Sequence, residues 1–169
     1  MPEAVISNTS PLQYLYQLGQ LTLLAHFYQQ VTVPPAVVQE LADGATLGVE
    51  LPVLAEVAWL QVRAPSATQV RRVASTLGAG EREALALALE TPNALLLLDD
   101  GHARRFGRLL GLRMTGTVGV LARATHDGLV PRLAPLLDRL FPHRTSTTVS
   151  TPPTPGPRRA PPPARGHGE

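Results

Sequence analysis

Acidic and amide side chains recur in this chain at the ends of apolar runs or at the starts of helical ones. They are Asn8 in VISNTSPL, Glu40 in PPAVVQEL, Glu81 and Glu83 in GAGEREAL, and the Asp99–Asp100 pair in LLLLDDGH. Oxygen donors of this kind hold hard divalent cations, and Mg²⁺ or Mn²⁺ is the natural guest. Such an ion lowers the pKa of water and offsets the charge that builds up at a reacting phosphorus. Hydrolysis of a phosphodiester at neutral pH needs both effects. The pattern therefore points to metal-assisted phosphodiester chemistry.

Each position also has a plainer use. Asn8 suits a turn, and Glu40 suits a solvated helix face. Glu81 and Glu83 complement the positive end of a helix dipole. Either Asp99 or Asp100 suits a helix N-cap. The functional case rests on their joint placement. An alternating α/β chain carries strand ends that are distant in sequence to one edge of its sheet.

The elements that would do this are readable. Ala4–Ile6 predicts a strand, followed by a helix with Ser10 as N-cap and Pro11 at its first position. Leu12, Leu15 and Leu18 keep helical spacing up to Gly19. A short helix is expected over Leu21–Tyr28, a strand over Val31–Val33, and a helix opened by Pro34–Pro35 and stopped by Asp43–Gly44. Ala58–Val62 reads as an edge strand, Thr68–Leu77 as a helix, Gly78–Gly80 as a loop, and Glu81–Glu90 as a helix buried on most sides. Leu95–Leu98 is apolar throughout, as in a strand covered on both faces. An Arg-rich helix to about Leu110, a strand over Leu112–Thr115, and helices over Thr117–Thr125 and Leu133–Leu140 complete the pattern. Strands alternating with helices imply an α/β fold with a mostly parallel central sheet flanked by helices.

Composition narrows the chemistry. The chain has 169 residues, 44% of them hydrophobic and 4% aromatic, so its core must be built of Leu, Val and Ala. It contains no Cys, which removes thiolate nucleophiles, thiolate metal sites and disulfides. All 15 basic residues are Arg. A phosphate loop of the Walker type and a Schiff-base enzyme each need a Lys, so both are excluded; a Lys-assisted phosphoacceptor domain falls with them. A generic nucleotide-binding domain lacks its Gly-rich loop, since GAG at 78–80 is too short.

Residues 1–143 hold 11 Arg against 12 Asp and Glu, whereas residues 144–169 hold four Arg against one Glu. The net charge of +2 therefore owes its sign to the end of the chain, and charge alone gives no warrant for nucleic-acid binding. From about Phe141 the apolar periodicity stops, and eight of the 17 Pro lie between Pro142 and Glu169. The expected division is a domain over 1–140 and a disordered Pro/Arg-rich tail over 141–169. No apolar run approaches membrane-spanning length, and a cytoplasmic location is expected.

Taken together, VISNTSPL, VPPAVVQEL, LGAGEREALALALE and LLLLDDGHARRFGRLLGLRMTGTVGVL resemble the PIN-domain fold. The likeness is to its bacterial and archaeal branch related to the toxin ribonucleases of toxin–antitoxin pairs, over roughly residues 4–140. The resemblance implies a three-layer fold and a Mg²⁺- or Mn²⁺-dependent endoribonuclease acting on RNA. It also implies a toxin-like module, often a homodimer, silenced by a small antitoxin protein. The family's acids fall on Asn8, Glu40, Glu81 and Asp100, with Glu83 and Asp99 competing for the last two. Glu40, Glu81 and Asp100 are the implied catalytic residues. Thr9, Ser10 and Thr117 stand where hydroxyls would assist a ligand or its water. Arg104 and Arg108 share a face of their helix, as either a phosphate clamp or a solvated face. Asn8 departs from the usual Asp: an amide oxygen still coordinates a hard cation but brings no charge. That leaves a second reading open, a non-catalytic RNA- or protein-binding module with a weakened metal site.

Overall fold

The computed structural model describes residues 4–142. The expected tail therefore lies outside the described residues from His143 onward.

The sheet grows outward from two central strands. β1 (Val5–Ser7) pairs with β4 (Leu95–Leu97) in register Val5↔Leu95, Ile6↔Leu96 and Ser7↔Leu97. β2 (Val31–Val33) and β3 (Leu60–Val62) extend it on one side, and β5 (Arg113–Thr115) on the other. The order is β3-β2-β1-β4-β5 and every pairing is parallel. Parallel strands need crossovers, and the crossovers here are helices.

Period-two alternation of the strands divides the core. Val5 and Leu97 point to one face, where they meet Leu12, Leu15, Leu24, Phe27, Val37 and Leu121. Ile6, Leu96 and Leu98 point to the other, where they meet Leu85, Leu87 and Ala103. The first face is covered by α1 (Thr9–Gln17), α2 (Thr22–Tyr28), α3 (Pro35–Thr46), α7 (Thr117–His126) and α8 (Ala134–Leu140). The second is covered by α4 (Ala67–Arg72), α5 (Ala79–Glu90) and α6 (Gly101–Leu109). The result is the expected three-layer α/β architecture. Burying each central Leu contributes about 1.5–3 kcal/mol, so truncating Leu96, which is fully buried, to Ala costs about 2–5 kcal/mol.

Four local expectations need correction. The first helix starts at Thr9, with Asn8 rather than Ser10 in the N-cap position. The Asn8 backbone N–H donates to Leu97 O at 3.0 Å, so the chain passes from sheet to helix in one residue. Asp43–Gly44 does not stop α3, which runs to Thr46 before turning at Gly48 (φ +82°). Gly44 instead makes room for Leu51, whose Cδ1 would lie 2.6 Å from an added Cβ. The helix expected over Thr68–Leu77 ends at Arg72, because Val73 turns extended and packs with Leu77 in the core. Gly78–Gly80 is no loop: Gly78 is the N-cap of α5, and Gly80 lies inside the helix.

The strand order reverses between β1 and β4. The chain moves outward from β1 through β2 to β3, then returns to β4 on the opposite side of β1. Parallel sheets open a crevice at the carboxyl ends of the strands at such a reversal. Asn8 leaves β1 there, and Asp99–Asp100 leave β4 there.

Candidate active site

Asn8 is a buried polar residue at this edge. It is 3% exposed, and its side chain makes no cap to α1. Its Oδ1 is buried with no hydrogen-bond partner. An unmet buried acceptor costs about 1–3 kcal/mol, and such a group calls for an explanation in a ligand or ion.

The next residue ties α1 to α3. The Thr9 hydroxyl donates to Glu40 Oε2 in a short hydrogen bond. The other carboxylate oxygen, Oε1, accepts from Gly80 N at 2.8 Å. Gly80 is small for this reason: a Cβ there would lie 2.5 Å from Oε2 and 2.8 Å from Oε1. Glu40 is thus held at the N-terminus of α5 by one backbone donor and one hydroxyl.

Glu81 stands one residue on. Its Oε2 accepts from Gly78 N at 3.0 Å, which closes the first turn of α5. Burial raises the Glu81 pKa above its ordinary value, and the neighbouring Asp100 and Glu40 carboxylates add to the rise. The Gly78 N–H and, more weakly, His102 oppose it. Glu81, on α5, therefore feels a carboxylate from α3 and one from the β4–α6 junction.

The Asp pair divides its work. Asp100 is the N-cap of α6, with Oδ1 accepting from Ala103 N at 2.8 Å. Asp99 turns to α7 instead. Its Oδ1 accepts from Thr117 N at 2.7 Å and its Oδ2 from the Thr117 hydroxyl at 2.5 Å. Glu83 also turns away, to the N-terminus of α3, where Oε2 accepts from Ala36 N at 2.9 Å. Arg104 donates from Nη1 to Leu98 O at 2.7 Å, pinning α6 to the end of β4. Arg108 is exposed on α6 and takes no part in the cleft.

A cleft of about 420 Å³ opens at this edge. Ser10, Glu81, Asp99, Asp100 and Thr117 line its polar half, and Tyr14, Val118, Leu140 and Phe141 its apolar half. The structure thus brings together Ser10, Glu81, Asp99, Asp100 and Thr117 of the sequence-derived candidates, with Glu40 electrostatically coupled to Glu81. It sends Glu83 to α3. Tyr14 and Leu140 bear no motif. The one sequence signal for Tyr14 is its spacing of four from Ser10, which puts both on one helix face.

The donor set can be tested against a divalent ion. Among the described residues, no three His, Cys, Asp or Glu side chains gather as a metal-holding group. Both oxygens of Glu40 and of Asp99 already accept from protein donors. Glu81 and Asp100 each use one oxygen on a backbone N–H and keep the other. With the orphaned Oδ1 of Asn8, the remaining donors are all oxygen, which is the chemistry a hard cation takes. The donor chemistry fits, through fewer carboxylates than the sequence spacing suggested.

A family model described as a PIN domain matches residues 4–147. No curated protein matches the chain. Among the described residues, no helix is long and apolar enough to cross a membrane.

Proposed function

Since this chain belongs to the PIN-domain family and is thus a nuclease-type module, we propose that it is a Mg²⁺- or Mn²⁺-dependent endoribonuclease of the toxin kind. The observation that carries the reading is the set of uncommitted oxygens at the strand reversal: Asn8 Oδ1, one oxygen of Glu81 and one of Asp100. These residues would hold the ion, with Glu40 completing the negative field. The ion supplies charge neutralisation at phosphorus and a lowered pKa for water.

The protein's own groups supply the rest. Burial raises the proton affinity of Glu81 in the metal-free protein; a bound cation would favour its charged form, so Glu81 serves as a ligand. Water attacks phosphorus in line and loses its proton to solvent, and the opposite ester oxygen leaves and takes a proton from solvent. Ser10, on the cleft wall, is placed to donate a hydrogen bond to a phosphate oxygen. Thr9 and Gly80 position Glu40, and Thr117 positions Asp99. Arg104 sets the angle of α6 through Leu98 O, and Arg108 meets the RNA backbone outside the cleft. A small antitoxin protein, a second copy of the chain and a cytoplasmic setting follow from the toxin reading.

Asp100→Asn tests the site. Asn caps a helix as well as Asp, so the Ala103 N–H keeps its acceptor and the melting temperature stays put. RNA cleavage in Mn²⁺ should be abolished. Cleavage at the wild-type rate would remove Asp100 from the mechanism.

A second reading has its own support. A neutral Asn8 and the lack of a three-carboxylate group among the described residues favour a module that binds RNA or protein without cutting. Calorimetric titration with Mn²⁺ separates the two. A nuclease binds the ion and loses affinity on Glu81→Gln; a binding module shows no heat with either protein.

A further inference from the structure

The cleft has an apolar half that phosphodiester chemistry does not use. Tyr14 from α1, Val118 from α7 and Leu140 from α8 line it beside Glu81 and Asp100. Tyr14 is 36% exposed and Val118 41% exposed, although a buried core lies directly beneath both helices. Apolar side chains left open in a concave site mark a place where something binds. The cleft's volume falls within the ~300–1,000 Å³ of small-ligand pockets.

The wall is built and not incidental. Ser10 and Tyr14 are four residues apart on α1, so the hydroxyl faces the acidic end and the ring lies one turn farther along. Arg139 Nη2 donates to Gln17 O at 3.0 Å, which ties α8 to the end of α1 and keeps Leu140 in place. A charged group centred on this half would lie against Val118 and Leu140, with the carboxylates of Glu81 and Asp100 only at its acidic edge. A phosphate would meet no donor there except the Tyr14 hydroxyl. A flat, neutral, polarisable group satisfies both limits.

We propose that this half is a nucleobase subsite, in which one base of single-stranded RNA stacks on Tyr14 and so delivers the adjoining phosphate to Glu81 and Asp100. The proposal rests on the nuclease reading for the identity of the polymer. A stacking platform recognises the face of a base, which all four bases share. The wall offers no ring of donors and acceptors to read base edges, so binding at this subsite is tolerant of sequence.

The full-length protein is titrated, by fluorescence anisotropy in Ca²⁺, into a short labelled single-stranded RNA and into an abasic strand with the same backbone. Tyr14→Leu should weaken binding of the intact strand by roughly five- to hundredfold. Tyr14→Phe keeps the ring and should bind like wild type. Val118→Ala, at a second exposed position, should weaken binding of the intact strand and spare that of the abasic strand, and this keeps the test open if the first variant folds poorly. The abasic strand should not distinguish wild type from the Tyr14 variants. Equal affinity of Tyr14→Leu and wild type for the intact strand overturns the subsite, as does failure of wild type to prefer the intact strand. Cleavage in Mn²⁺ is scored separately. Cleavage that is indifferent to Tyr14 removes the subsite and leaves the nuclease standing. Base-dependent binding without cleavage keeps the subsite and removes the nuclease.

Discussion

Gly80→Ala is a single-methyl probe of the whole site. An added Cβ would lie 2.5 Å from Glu40 Oε2, where real contacts are essentially never under 3.0 Å, so the carboxylate must retreat by about 0.5 Å or more. The retreat strains the bond from Gly80 N to Oε1 and the one from the Thr9 hydroxyl to Oε2. Hydrogen bonds to a charged group contribute about 1.5–3 kcal/mol. Replacing Gly by Ala inside a helix returns about 1 kcal/mol. The net loss is about 0.5–2 kcal/mol, a fall in Tm of about 1–8 °C that leaves the protein folded. Function should suffer more than stability. Disturbing the groups that orient a ligand typically costs about 10–100-fold in metal affinity or activity. Mn²⁺ affinity by calorimetry and RNA cleavage by gel assay should both fall by that factor. The coupling is the sharper test: the double variant Gly80→Ala, Glu40→Ala should be no worse than Glu40→Ala alone, since both act through one carboxylate. Losses that simply multiply would show that Gly80 acts elsewhere, and the account of Glu40 would be wrong.

Other substitutions separate residues that look alike. Asn8→Asp puts a carboxylate where the structure leaves a buried, unpartnered amide oxygen. The metal-free protein should lose stability, because an unpaired buried charge is costly; Mn²⁺ should then raise its Tm by more than it raises that of wild type. Glu83→Ala strips Ala36 N of its acceptor at the start of α3 and should cost about 1 kcal/mol, read by urea denaturation, with RNA cleavage intact. Glu81 contributes to the pH dependence of the metal-free protein. Its folded pKa is raised, chiefly by burial, so the folded state holds this proton more tightly than the unfolded state. The associated stability is present below the ordinary carboxylate pKa and is lost as pH rises through the folded value. Glu81→Gln keeps an acceptor for Gly78 N and should flatten that part of the Tm–pH curve; an unchanged slope would refute the assignment.

The sheet was legible in the sequence because its strands are short, apolar runs that the core covers. Leu95–Leu98 and Val31–Val33 needed nothing more than composition and length. The edge position of β3 was legible for the converse reason, since its residues are mixed and remain partly exposed. The assignment of acids was legible only to the nearest turn. Glu81 and Glu83 are two residues apart, about 200° around a helix, so they point to opposite sides of α5. Only the packing of α3 against that helix decides which of them faces the cleft. Asp99 and Asp100 carry the same capping signal, and Asp99 finds its partner 18 residues onward at Thr117. No local pattern reports such a partner. Gly80 read as a loop residue because its purpose is space for Glu40, 40 positions earlier. The apolar wall escaped notice for the same reason, as α1, α7 and α8 each contribute to it.

Capping and catalysis, which compete as explanations for each acid taken alone, are joined in the structure. Glu40, Glu81, Asp99 and Asp100 each accept from a backbone N–H at or near the start of a helix: Gly80, Gly78, Thr117 and Ala103 in turn. Carboxylates crowded at one edge repel one another. Helix N-termini carry partial positive charge and offset that repulsion by about 0.3–1 kcal/mol each. α5, α6 and α7 all begin at this edge because the strands that precede or flank them end there. The caps thus allow the acids to stand close in the absence of a cation, and they fix the orientation of each carboxylate while Glu81 and Asp100 keep an oxygen in reserve. Asn8 fits the same logic. The Asn8 side chain stands at the start of α1 without making a cap bond, and a neutral amide spares the metal-free protein one more charge among the acids. What the amide forgoes is attraction for the ion, so the site should fill weakly until a phosphate brings its own negative charge.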